Sequence, residues 1–176
     1  MHIQIMNMIL AALLALSTVS DLKARRIPNS LTAPVIIAAV LINTIAGGRS
    51  GAYESFRGCG LGLALMMLPF LLKGVGGGDV KLMAAIGALK GTQFVFFTFL
   101  FTAVAGGLIV VAVAILKKDA GIRKSDFTYA VLTALSGPAA GGVRRDEGKS
   151  RSTIPYACAI SAGAAAAFLF APMFAL

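Results

Sequence analysis

An all-α membrane protein is what this 176-residue sequence predicts: a polytopic bundle of about six transmembrane helices, with a short amphipathic helix on its cytoplasmic surface. Three observations carry that expectation. Hydrophobic residues make up 58% of the chain and charged residues 13%, about half the ~25% usual in soluble domains, and the mean hydropathy is +0.87. Several apolar segments approach or exceed the ~18 residues that mark a membrane span. The stretches between them, "DLKARR", "KKDAGIRK" and "RRDEGKSR", are basic, as cytoplasmic loops of membrane proteins are.

The spans are expected at about 3–20, 29–46, 58–72, 80–89, 92–116 and 154 to the C-terminus. The first lacks a basic leader region and a small-residue cleavage site, so it reads as a retained helix rather than a signal peptide. The second ends at "GGRSGAYESFRG", expected as an outer loop. The third leads into "KGVGGGDVK". The fourth is short: from Asp79 to Lys90 a helix rises only about 15 Å. It therefore extends past Gly91, or crosses a thinned region where water reaches in. The fifth carries the stripe "FVFFTFLF", read as lipid or helix contact. Between it and the last span, "FTYAVLTALS" places Phe127, Val131, Ala134 and Leu135 on one helical face, suited to an interfacial helix. The last span holds "SAGAAAAFLF", whose small residues suit close packing in lipid.

The +9 net charge is read as topology, with no basic-aromatic pattern pointing to nucleic acid. Cys59 and Cys158 are isolated in apolar surroundings and are read as packing residues. The single histidine, His2, falls at the end of the first helix away from the acids. No metal-ligand spacing, Ser-His pairing or Walker loop is present, and no metal or cofactor is expected.

Seven acidic residues remain to be placed. Asp119, Asp126, Asp146 and Glu147 sit in basic loops and Glu54 between two arginines. Asp21 and Asp79 stand apart, each at the boundary of an apolar segment. With the N-terminus outside, the first and third spans both run inward, so both carboxylates reach the cytoplasmic edge at similar depth. Ionisable groups there face a protein interior or a wet cavity. Gly76, Gly77 and Gly78 permit close approach and positive φ before Asp79. Asp79 then opens the fourth helix, whose dipole favours its charged form, while Lys81 adds a nearby cation. Asp21, at a helix C-terminus, is expected to hold its proton longer. Such a pair can share one proton, one acid activating water while the other protonates a leaving group. The plainer alternatives are an Asp21–Arg25 ion pair and an ordinary helix-capping role for Asp79. On these residues alone, a protease and a proton relay both stay open.

The motif Gly76-x-Gly78-Asp79-x-Lys81 resembles the GxGD motif of the type IV prepilin peptidase family. Asp21, followed by Ile27-Pro28-Asn29, resembles that family's first motif, and Ile154-Pro155-Tyr156-Ala157 its final helix. The resemblance spans essentially the whole chain as one integral-membrane domain, 1–176. It implies a membrane aspartic endopeptidase that removes short basic leaders from prepilins and pseudopilins at the cytoplasmic face of the bacterial inner membrane. Asp21 and Asp79 match the family's catalytic pair. Pro28 and Asn29 would set the turn that starts the second helix, and Lys81 would tune Asp79 or mark the interface. Bifunctional members carry a further domain with paired CxxC motifs and an N-methyltransferase activity. This sequence has no CxxC and no loop long enough for such a domain. It resembles the small, peptidase-only type associated with tight-adherence (Flp-type) pili, without pilin methylation. The competing readings are a small proton-coupled transporter or channel using the same acids, and a non-catalytic assembly subunit.

Overall fold

A computed structural model describes residues 2–24, 27–71, 75–116 and 156–170, and every regular element among them is a helix. In chain order these are α1 (His2–Ala24), α2 (Asn29–Leu71), α3 (Gly77–Lys90), α4 (Thr92–Leu116) and α5 (Tyr156–Phe170). The amphipathic segment expected near 127–136 lies outside the described residues, as does Arg25.

α2 is a helical hairpin in one unbroken run. A straight helix of its 43 residues would be about 64 Å long, yet Asn43 Nδ2 and Ser55 Oγ both donate to the carbonyl of Ala88, at 3.0 and 2.7 Å. The reversal is at Gly48, with φ 60° and ψ −141°, a conformation that essentially only glycine adopts. Gly51 then lies so close to the Asn43 carbonyl that a Cβ on it would come within 2.0 Å of that oxygen. This corrects the expected outer loop. "GGRSGAYESFRG" is helical from Arg49 onward, and the second limb starts nine residues before the expected span at 58. Its polar residues mislead because they lie on an exposed face, where Arg57 pairs with Glu54 at 3.3 Å. Ser55, by contrast, turns inward and is fully buried.

α3 is the central helix. Val80 and every residue from Leu82 to Leu89 are buried, the pattern of a helix that is packed on all sides. At 14 residues it is about 21 Å long, and it ends at Lys90 instead of running past Gly91. Gly91 takes φ 84° and its N–H donates to Gly87 O at 2.8 Å, and α4 starts at Thr92. α3 is enclosed by other helices along almost its whole length. Gly58 and Gly62 on α2 let it approach: a Cβ on Gly58 would sit 2.1 Å from Gly87 O, and one on Gly62 2.5 Å from Met83 O.

α1 buries Met6, Leu10, Leu13 and Ser17 along one stripe and exposes Ile5, Met8, Leu16, Val19 and Leu22, the 3–4 spacing of a helix with one packed face. α4 and α5 pair closely where Gly163 meets the backbone of Thr102. Among the described residues, two helices are long and apolar enough to cross a membrane, Gln4–Ala24 and Asn29–Leu71, and Thr92–Leu108 and Ala157–Phe170 are shorter apolar helices.

These contacts define two ends of the bundle. At one, Lys90 Nζ donates to Asn7 Oδ1 at 2.5 Å and lies 5.5 and 5.3 Å from the ring centres of Phe94 and Phe168. The Gly48 reversal and the α3–α4 turn share that end. The opposite end holds Asp21, the α1–α2 turn, the start of α3 and the start of α5.

Candidate active site

The first motif and the glycine motif meet at that opposite end. Pro28 O accepts the N–H of Leu31 at 3.1 Å, closing the first turn of α2 after the proline. Asn29 Oδ1 accepts from Lys81 Nζ at 2.7 Å on the exposed rim, so the two motifs are directly linked. Ile27 packs against Gly78, where a Cβ would come within 2.9 Å of Ile27 Cβ and 3.2 Å of its carbonyl oxygen. The expected positive φ is not used here: Gly76 is extended, with φ −78° and ψ 153°, and the described left-handed glycines are Gly48 and Gly91. What the motif requires is bare backbone at Gly78. Gly77 has room, with the Phe70 ring edge 3.6 Å from where its Cβ would be. Gly78→Ala is therefore expected to slow turnover roughly 10- to 100-fold by displacing the first turn of α3. Gly77→Ala, assayed alongside, should stay within about twofold of wild type.

Asp79 is the third residue of α3 and reaches back to cap it, Oδ2 accepting the N–H of Gly76 at 3.1 Å. The capping reading of Asp79 therefore holds alongside any chemical one. Asp79 precedes the apolar run of α3 and is half-buried.

Asp21 is held by a helix that the sequence did not connect to it. Its Oδ2 accepts the N–H of Ala157 at 3.1 Å, 136 residues away. That N–H belongs to the first turn of α5, where backbone donors have no partner within the helix. Asp21 thus sits in the last turn of α1 and caps α5 at once. Each carboxylate has one oxygen on a backbone N–H at or beside a helix start, and the two are near enough to interact through their charges. Among the described residues, no group of three or more His, Cys, Asp or Glu is placed to hold a metal ion.

The comparisons with known proteins converge on these elements. The family model described as "Type IV leader peptidase family" matches residues 8–111, more than half of the chain and including both aspartates. Two relatives, prepilin leader peptidase/N-methyltransferases of Burkholderia pseudomallei strains 1026b and K96243, are each 35% identical over 105 residues. That match covers 56% of this chain and 34% of each relative, so it spans about a third of their length. No solved structure matches significantly. The chain belongs to the type IV leader peptidase family.

Proposed function

We propose that this protein is a membrane aspartic endopeptidase that cuts the short basic leader from prepilins or pseudopilins. In this reading the six helical limbs, counting α2 as two, all cross the inner membrane. The N-terminus is outside, and the Asp21–Asp79 end faces the cytoplasm. The basic stretches flanking α1, α4 and α5 support that orientation. The observation that carries the reading is the meeting of two motifs far apart in sequence, with the Asp21 and Asp79 carboxylates near enough for their charges to interact.

The two acids share one proton: the ionised member takes a proton from a water as it attacks the scissile carbonyl, and the protonated member protonates the leaving amine. Gly76, where a Cβ would lie 3.3 Å from Asp79 Oδ2, keeps the approach to that carboxylate free of a side chain, and the Lys81–Asn29 link fixes the first turn of α3 against the start of α2. A substrate's apolar segment would lie along the bundle and its basic leader would remain in the cytoplasm. A pair that needs one acid ionised and the other protonated should give a bell-shaped dependence of cleavage rate on pH. A rate that stays flat from about pH 4 to about pH 9 would contradict it.

Purified protein in lipid vesicles, given a synthetic prepilin, tests the reading against a proton relay. Cleavage between leader and mature segment, read by mass spectrometry, supports the peptidase. Intact substrate together with proton uptake into the vesicles would overturn it.

A further inference from the structure

The Asp21–Ala157 hydrogen bond has a neighbour one turn deeper in the bundle. Thr18 Oγ1 and Ser161 Oγ share a hydrogen bond at 2.7 Å, half-buried and joining residues 143 apart in sequence. Thr18 lies three residues before Asp21 on α1, and Ser161 four residues after Ala157 on α5. Residues three and four apart share a helix face, so the two bonds stack on one seam between α1 and α5. Asp21 is in the last turn of its own helix, where helices fray, and its side chain is half-exposed. Its own helix therefore constrains it weakly.

We propose that Thr18 and Ser161 form a positioning clasp for Asp21, making α5 a working part of the site. The inference rests on the two-aspartate reading above. The clasp holds the start of α5 at the depth where the Ala157 N–H meets Asp21 Oδ2, leaving the carboxylate's other oxygen for Asp79 and the attacking water. Neither hydroxyl touches the reacting atoms. Both residues position, and the aspartates carry the chemistry. Ala157 and Ser161 lie beyond the span matched by the family model, so the site draws on sequence outside it.

The test is steady-state cleavage of a synthetic prepilin by purified wild type, Thr18→Val, Ser161→Ala, the double variant, Thr18→Ser and Asp21→Asn. Thr18→Val keeps the shape and removes the hydroxyl, and should lower kcat about tenfold with KM within twofold. Ser161→Ala should do the same, and the double variant should be no worse than either single, because both break one bond. Thr18→Ser retains the hydroxyl and should keep at least a third of the wild-type kcat. Should Thr18→Val not reach the membrane, Ser161→Ala decides alone. Wild-type kcat in Ser161→Ala, effects that multiply in the double variant, or a loss carried by KM would each overturn the clasp. The Asp21→Asn control separates the two proposals: if it cleaves at the wild-type rate, the two-aspartate reading itself fails, and the clasp fails with it.

Discussion

Gly87→Ala is expected to destabilise the protein by about 3 kcal/mol or more, at the upper edge of the ~1–3 kcal/mol usual for overpacking. A single methyl group is enough. Its carbon would sit 2.1 Å from Gly58 O and 2.5 Å from the Gly58 carbonyl carbon, and backbone cannot yield as a flexible side chain can. Relief requires α2 and α3 to move apart along the crossing that buries Gly58, Gly62 and most of α3. The same separation would pull on Ala88, whose carbonyl takes donors from both limbs of α2. Gly58→Ala should behave alike, since its Cβ would meet Gly87 O at 2.1 Å. Gly60→Ala is the control: its position opens on empty space, and alanine is favoured over glycine in a helix by up to ~1 kcal/mol. Thermal unfolding in detergent should show Gly87→Ala and Gly58→Ala melting well below wild type and Gly60→Ala at or slightly above it. Equal melting for Gly87→Ala and Gly60→Ala would mean that the crossing is looser than described.

Residue pattern revealed the helical segments and their alternation because both follow from local properties: apolar length, and the basic stretches between. It misplaced the α2 reversal because Arg49, Glu54 and Arg57 look like loop residues although they are the exposed side of a helix. The Gly58-x-x-x-Gly62 spacing is legible as a close-packing motif, but its partner on α3 is not, because Gly87 meets it across a long chain separation. At the site, matched depth suggests that Asp21 and Asp79 are neighbours, and their charges are near enough to interact. Sequence could not show that Gly78 is bare for the sake of Ile27, or that Lys81 reaches Asn29, since both are contacts across long chain separations. The hold of α5 on Asp21 was the least accessible, because its donor is a main-chain N–H that carries no side-chain signature.

The largest effects on activity are expected at the two aspartates. Asn keeps the shape of each side chain and can still accept the backbone N–H, from Ala157 at position 21 or Gly76 at position 79. Folding and helix capping should therefore survive. What is lost is the ability to take or give a proton, worth roughly 10²–10⁴-fold for each general acid or base. Because the pair acts as one unit, losing either member should cost nearly as much as losing both. The measurement that bears most directly on the central claim is leader removal from a co-expressed, tagged prepilin. It would be followed by gel for wild type, Asp21→Asn, Asp79→Asn and the double variant at matched membrane abundance. The account predicts complete processing by wild type, and at most about one-hundredth of the wild-type rate in either single variant, with the double variant no worse. Near-wild-type processing by either Asn variant would contradict a two-aspartate site.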